Sequence, residues 1–157
     1  MNDARCTRFI ADSMLGRLAK WLRVLGFDTL YKPDCKKEDM ILRSLREKRV
    51  ILTRNTRLSK SVGLQVVFLA DTEVKNQINQ IINELNLKID KSSIFIRCTI
   101  CNEIALTVPK EQVKDKVPEY VYNTQKEFRI CPACKRIYWA GTHSESVARM
   151  LAEINIC

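Results

Sequence analysis

The stretch FIADSMLGRLAKWLRVLGFDT, residues 9–29, contains a short apolar strand, a helix and the start of a second strand. We expect the first strand to cover residues 7–11 and to end at Asp12. The helix carries leucines spaced three or four residues apart: Leu15, Leu18, Leu22 and Leu25. Gly26 ends this helix, and a second strand follows over residues 27–31. A strand, a helix and a strand in this order predict a βαβ unit with two parallel strands.

The same alternation continues towards residue 90. A second helix is expected over residues 38–48, and three apolar residues are expected on its inner face: Ile41, Leu42 and Leu45. Beyond it, the pattern predicts two strands and a helix: residues 50–52, 65–69 and roughly 73–85. The sequence therefore predicts an α/β fold with a parallel sheet and helices on both faces. Ligands of such sheets bind beyond the carboxyl ends of the strands.

The pattern changes near residue 92, where we place a domain boundary. Residues 1–92 would form the α/β domain, and residues 93–157 a smaller module with a last helix at roughly 144–154. Short runs in this module predict strands: Phe95–Arg97, Ala105–Val108 and Ile137–Trp139.

Two pairs of cysteines share the spacing Cys-x-x-Cys: Cys98 with Cys101, and Cys131 with Cys134. Two intervening residues let both thiolates of a tight turn face one metal, so the pairs predict a closed structural zinc site. The chain has seven cysteines and no evident secretory signal, which favours metal over disulfides. The alternatives are two unrelated pairs, a redox dithiol, or an iron–sulfur cluster with the same ligands.

The net charge of +9 is unevenly distributed. Residues 1–93 hold 18 Lys and Arg against 11 Asp and Glu, whereas residues 94–157 hold 9 against 7. A basic first half predicts an anionic partner such as nucleic acid, although solubility alone is an alternative explanation. No apolar run approaches the roughly 18–20 residues that span a bilayer. We therefore expect no membrane partner, and a cytoplasmic protein, or a nuclear one in a eukaryote.

Polar residues follow the predicted strands. Asp12 follows the first strand, Asn55 the third and Asp71 the fourth, while Asp39 lies in the first turn of the second helix. Carboxylates at one edge of a parallel sheet would hold one or two Mg²⁺ or Mn²⁺ ions, which can activate water for phosphodiester cleavage. Structural alternatives exist for each acid. Asp12 and Asp71 are good helix caps, and Asp39 favours the helix dipole.

Several of these motifs resemble one family. Residues 9–29 are similar to the opening of the Mut-seven C-terminal RNase domain family, as are residues 49–54, the cysteine pairs and residues 138–143 (YWAGTH). The resemblance covers the chain from about residue 7 to residue 150.

This resemblance implies a PIN-like domain fused to a zinc ribbon, with the activity of a metal-dependent ribonuclease. It makes Asp12 the first metal-binding acid and Asp39 the second. The third acid of the Leu-Thr-Arg-Asp motif is replaced here by Asn55, whose carbonyl can bind Mg²⁺ but brings no charge. Other carboxylates could compensate: Asp34, Glu38 and Asp71. The alternative is a non-catalytic RNA-binding module with a degenerate active site.

Four basic residues are expected to bind RNA phosphates. Arg17 and Lys20 are three apart on the first helix and therefore share a face. Arg54 lies within the motif that ends at Asn55. His143, the chain's single histidine, follows Tyr138 and Trp139 in the last motif. The structural alternatives are a solvated helix face for Arg17 and Lys20, and a packing role for His143.

Overall fold

The computed structural model describes residues 6–139 and 142–154. Within these ranges, strands and helices alternate in the first part of the chain: β1 (Arg8–Ala11), α1 (Gly16–Val24), β2 (Asp28–Tyr31), α2 (Lys37–Glu47), β3 (Val50–Thr53), α3 (Thr56–Ser59), β4 (Val66–Phe68) and α4 (Val74–Leu85). The strands form a parallel sheet in the order β2-β1-β3-β4. The α/β fold with a parallel sheet is confirmed.

Helices cover both faces of this sheet because successive side chains of a strand point to opposite faces. In β1, Phe9 and Ala11 join the hydrophobic core formed with α1 and α4. Ile10 joins a smaller core with Met40 of α2 and Leu58 of α3 on the other face. Every residue of β3 is buried, as expected for a central strand covered on both sides.

The predicted inner face of α2 is wrong for two residues. Leu42 and Leu45 are exposed, whereas Met40 and Ser44 are buried. The helix packs on the smaller core through Met40 and the partly buried Ile41, so the prediction for Ile41 is confirmed. The buried Ser44 hydroxyl donates a hydrogen bond of 2.6 Å to the carbonyl of Arg49.

The C-terminal part contains the remaining elements of the described residues: β5 (Leu106–Val108), α5 (Glu119–Thr124), β6 (Phe128–Ile130), β7 (Ile137–Trp139) and α6 (Thr142–Glu153). The three strands form an antiparallel sheet in the order β5-β6-β7. The predicted strand Phe95–Arg97 is wrong, because Phe95 has a φ of 63° and only Arg97 forms a single bridge, with Ile104. Neither β6 nor the short helices α3 and α5 were expected from the sequence.

The end of the chain returns to the first domain. Ile154, directly after α6, is buried in the core of α1 and α4. The Lys75 ammonium of α4 also lies 3.7 Å from the Glu153 carboxylate. The boundary near residue 92 therefore remains a prediction about sequence organisation, since the two parts share a core.

Gly26 lies where the two parts of the chain touch. Its φ is 94°, and a Cβ added there would lie 2.6 Å from the backbone oxygen of Ser93. We expect Gly26→Ala to lower the free energy of unfolding by about 2–4 kcal/mol, through backbone strain and overlap together. Urea denaturation would measure this effect.

Gly63→Ala is the matched control for Gly26→Ala. Gly63 has a similar φ of 83°, but no atom lies within 4 Å of its added Cβ. Because only backbone strain acts at this position, Gly63→Ala should lower the free energy of unfolding by about 1–2 kcal/mol. Equal losses in the two variants would show that contact with Ser93 is unimportant.

Candidate functional site

The four cysteines of the two pairs come together in one cluster. The sulfur atoms of Cys98, Cys101, Cys131 and Cys134 all lie within 4.8 Å of one another, and Cys98 Sγ is 3.6 Å from Cys134 Sγ. Tetrahedral zinc with bonds of about 2.3 Å holds sulfur atoms about 3.8 Å apart. The donor set and its spacing therefore fit zinc, and four thiolates leave no open coordination position.

The two cysteine pairs adopt the same backbone geometry. In the first turn, the N–H of Asn102 donates to the carbonyl of Cys98, and in the second the N–H of Lys135 donates to the carbonyl of Cys131, both at 3.0 Å. Asn102 and Lys135 have φ values of 65° and 61°. This left-handed residue reverses the chain directly after the second cysteine of each pair, which turns both sulfur atoms towards the same point.

Tyr138 supports the cluster from β7. Its hydroxyl lies 3.0 Å from Cys98 Sγ and accepts a hydrogen bond of 3.1 Å from the N–H of Thr99. Burial would raise the pKa of Cys98, but hydrogen bonds from Tyr138 and from the N–H groups of Cys101 and Ile100 lower it to about 7. The hydrogen bond with Cys134 raises the pKa of Cys101 to about 12, and burial raises that of Cys131, so the negative charge of the metal-free cluster is concentrated on Cys98.

Arg23 joins α1 to the first cysteine turn. This buried side chain donates hydrogen bonds to three carbonyl oxygens: Thr29 at 2.9 Å, Thr99 at 2.8 Å and Ile100 at 3.0 Å. Burial lowers the pKa of Arg23, while the negative charges of Cys98 and Cys101 raise it. The guanidinium thus places one positive charge beside a cluster that carries net negative charge when zinc is bound.

Asn102 ties the same turn to the edge strand β2. Its Oδ1 accepts a hydrogen bond of 2.9 Å from the N–H of Thr29, and its Nδ2 donates one of 2.7 Å to Asp28. Arg49 donates to the same carboxylate at 2.7 Å. Burial would raise the pKa of Asp28, but the hydrogen bonds from Arg49 and Asn102 outweigh it and hold this pKa below its usual range.

Asp12 and Asn55 are linked at the carboxyl ends of β1 and β3. The Asp12 carboxylate accepts hydrogen bonds from the Ser13 N–H at 2.8 Å and from the Thr53 hydroxyl at 2.6 Å. The same Thr53 oxygen accepts one of 3.0 Å from the N–H of Asn55. Asn55 caps α3, since its Oδ1 accepts from the N–H of Arg57 at 2.9 Å. Two hydrogen bonds therefore fix the half-buried Asp12 carboxylate at the edge predicted for a metal.

Asp39 makes no hydrogen bond to Asp12 or Asn55 among the contacts of the described residues. It is exposed in the first turn of α2 and lines a cavity of about 750 Å³ between α2, the end of β2 and the first cysteine turn. Asp34, Arg43 and Arg46 line the same cavity, whereas Asp12 and Asn55 do not. The structure thus brings Asp12 and Asn55 together by hydrogen bonds and does not link Asp39 to them in this way.

Asp71 is not the N-cap predicted as the alternative to metal binding, because Glu73 holds that position at the start of α4. The Asp71 carboxylate accepts hydrogen bonds from the N–H of Glu73 at 2.7 Å and the side chain of Asn76 at 2.8 Å. These bonds, with that of Glu73 first, lower the pKa of Asp71. The first turn of α4 is thereby stabilised.

The predicted phosphate-binding residues occupy three places. Arg17 and Lys20 are exposed on α1 and line one cleft. Arg54 is exposed after β3 and donates to the carbonyl of Ala70 at 3.4 Å. His143 belongs to α6, but its side chain lies outside the described residues.

Sequence reasoning missed the residues that join the two parts of the molecule. Arg23 sits among the leucines of α1 and offers no local signal, because basic residues usually mark the exposed face of a helix. Asn102 carries a weak signal, since asparagine tolerates a left-handed conformation after a cysteine turn. Thr53 was visible within its motif, but its link to Asp12 depends on the pairing of two strands.

Fold and site together define an α/β domain with a parallel sheet and, beside its edge strand, a cysteine cluster that could hold a metal ion. The Mut7-C RNAse domain model matches residues 7–151. The chain therefore belongs to the Mut7-C RNAse domain family, and the resemblance noted from the sequence is confirmed. No curated protein matches the chain. In the described part of the chain, every helix is too short or too polar to cross a membrane.

Proposed function

We propose that this protein is a metal-dependent ribonuclease that hydrolyses RNA phosphodiester bonds at the carboxyl edge of its parallel sheet. The observation that carries the proposal is the fixed Asp12 carboxylate at the end of the central strand β1, linked through Thr53 to Asn55. A carboxylate oriented by two hydrogen bonds keeps free lone pairs for a cation. The RNase family to which the chain belongs supports RNA as the substrate.

The residues at this edge fit a hard cation, because they offer oxygen ligands only. Asp12 would hold Mg²⁺ or Mn²⁺ through its carboxylate, with the Asn55 carbonyl as a weaker ligand and Asp39 as the second acid. The ion, when bound, would activate water and stabilise the leaving oxygen. Thr53 positions Asp12 by its hydroxyl, and Arg54 places a positive charge next to Asn55 on the same edge.

The zinc cluster has a structural role in this proposal. Its four sulfur ligands leave no position for water or substrate. The cluster instead orders the first cysteine turn, and that turn contacts β2 through Asn102 and α1 through Arg23. We expect no catalytic contribution from the zinc itself.

A second candidate function is RNA binding without cleavage. The role of Asn55 as the cap of α3 favours it, because the cap gives this asparagine a structural purpose without a metal. The two functions differ in whether a carboxylate at residue 55 would be an advantage. A carboxylate there would strengthen a metal site, and a simple binding module would not benefit from one.

Substitution of Asn55 separates the two functions. Asn55→Asp keeps a helix cap of similar strength and adds one negative charge beside Asp12. We expect tighter Mn²⁺ binding and about tenfold or more faster cleavage of labelled RNA at limiting metal. Asn55→Ser is the matched control, because serine also caps the helix but supplies no carboxylate. Its cleavage rate should not exceed that of the unmodified protein.

Asp12→Asn completes the experiment. It retains a side-chain oxygen at the position but removes the charge, so cleavage should fall about 100-fold or more. Cleavage that persists unchanged in Asp12→Asn would contradict the proposed site. RNA binding with no cleavage in any variant, including Asn55→Asp, would favour the non-catalytic function.

A further inference from the structure

A second surface feature is lined by neither Asp12 nor Asn55. A cleft of about 480 Å³ opens between α1, the chain before the first cysteine turn, β7 and α6. The residues that line it come from both parts of the molecule. The helix α1 contributes Arg17, Lys20 and Trp21, and the C-terminal module contributes Arg136 and Trp139. This volume lies within the range of about 300–1,000 Å³ that is usual for ligand sites.

The rim of this cleft is positively charged. Arg17, Lys20 and Arg136 are all exposed, and among the described residues that line the cleft there is no Asp or Glu. No ion pair or hydrogen bond engages these three side chains within the described part of the chain. Three unpaired cations on one rim favour a ligand that carries several negative charges.

Part of the cleft lining is aromatic. It includes Trp21 and Trp139, which are the only tryptophans of the chain, together with Phe95. Both tryptophans are half-buried, so part of each indole remains accessible. Aromatic side chains beside cationic ones are the combination that binds single-stranded nucleic acids, because every base has a face that can stack.

We infer that this cleft binds an unpaired segment of single-stranded RNA, with a base stacked on an indole and the neighbouring phosphates on Arg17, Lys20 and Arg136. The inference rests on the proposed function only for the choice of RNA as the anionic ligand. It adds that the substrate is held as a single strand at a surface distinct from the acidic edge. An A-form duplex is excluded, because its bases are stacked on each other and its major groove is too narrow for side chains.

The two tryptophans make the inference directly measurable. Since both line the cleft, a base that stacks there should quench the intrinsic fluorescence of the protein. We would titrate zinc-loaded protein with an oligouridylate of about 12 nucleotides, without added Mg²⁺ or Mn²⁺. Binding is then measured without any need for cleavage, so failure of the ribonuclease proposal would leave this result interpretable.

Substitutions assign the binding to the cleft. Trp139→Leu should weaken binding about tenfold, and Trp139→Phe should restore most of it because a phenyl ring still stacks. Arg136→Gln should weaken binding and lower the slope of log K against log salt by about 0.7, the loss of one phosphate contact. Lys126→Gln is the charge-matched control, since this exposed lysine belongs to the same module but does not line the cleft. Zinc content and melting temperature show whether each variant is folded.

Quenching by the single strand that is absent with a matched RNA duplex, and that needs about tenfold more RNA in Trp139→Leu, where Trp21 still reports binding, would support the inference. Binding of the single strand without any change of tryptophan fluorescence would overturn it, and so would equal affinity for duplex. Quenching by an acidic polyglutamate peptide instead of RNA would also overturn it, by assigning the cleft to a protein ligand. None of these outcomes depends on whether the protein, or its Asp12→Asn variant, cleaves RNA.

Discussion

Removal of the metal from the cysteine cluster is expected to unfold the C-terminal module at 25 °C. Structural zinc sites contribute about 10–16 kcal/mol of apparent binding free energy, which is comparable to the stability of a whole domain, about 5–15 kcal/mol. The module has short strands of three residues each and few buried side chains to replace this energy. Cys131→Ser, or a strong chelator, should therefore abolish its ordered structure.

Metal removal should expose backbone N–H groups to water in the edge strand β2 of the parallel sheet and not in the central strand β3. The N–H of Thr29 in β2 donates to Asn102, so loss of the cysteine turn would open this N–H to water. The N–H of Ile51 in β3 donates to Gln65 within the sheet and does not depend on the turn. Hydrogen exchange should become faster at Thr29 after metal removal and remain slow at Ile51.

A lone thiol supplies the control for this experiment. Cys35 is half-buried outside the cluster, so Cys35→Ser should retain one zinc per chain and its normal exchange pattern. Elemental analysis would give the metal content, and would separate zinc from an iron–sulfur cluster. Full zinc content and an unchanged melting temperature in Cys131→Ser would contradict the assignment of the cluster.

The parallel α/β part of the fold could be predicted because its signals are local. The leucine stripe of α1 and the apolar runs of β1 and β3 place each element within one or two residues of its observed bounds. The inner face of α2 was wrong because burial of Met40 and Ser44 depends on how far a helix turns over a small core. No local pattern encodes that rotation.

The C-terminal module, residues 93–157, shows more clearly which features the sequence alone cannot predict. Its four clustered cysteines were predictable because Cys-x-x-Cys spacing is typical of zinc ligands. The strand expected at Phe95–Arg97 does not form, since Phe95 turns to donate its N–H to Val24 of α1 at 2.9 Å. The conformation of such residues depends on contacts with residues more than 70 positions away in the sequence. No local sequence pattern predicts these contacts.

Arg23→Met is expected to produce a large loss of stability. Methionine fills a similar volume, but it leaves the carbonyls of Thr29, Thr99 and Ile100 without their buried donor. Removal of a buried, hydrogen-bonded charge costs about 3–5 kcal/mol. For a chain of this size the melting temperature should fall by roughly 10 °C or more.

Comparison with Arg17→Met isolates the effect of burial. Arg17 is an exposed arginine on the same helix, so its substitution should change the free energy of unfolding by less than about 0.5 kcal/mol. Arg23→Lys should give an intermediate loss, because an ammonium keeps the charge but cannot match the fork of hydrogen bonds made by a guanidinium.

The coupling between Arg23 and the metal can be tested with a thermodynamic cycle. Two of the three carbonyls that Arg23 binds belong to the first cysteine turn, and its charge lies near Cys98 and Cys101. Arg23→Met should therefore weaken zinc binding in competition with a chelator, and should cost much less stability in the metal-free protein than in the zinc-loaded one. An equal loss in both forms would mean that Arg23 serves only the packing of α1 on β2. A larger loss in the zinc-loaded form would show that Arg23 couples the metal cluster to the sheet, alongside the hydrogen bonds of Asn102.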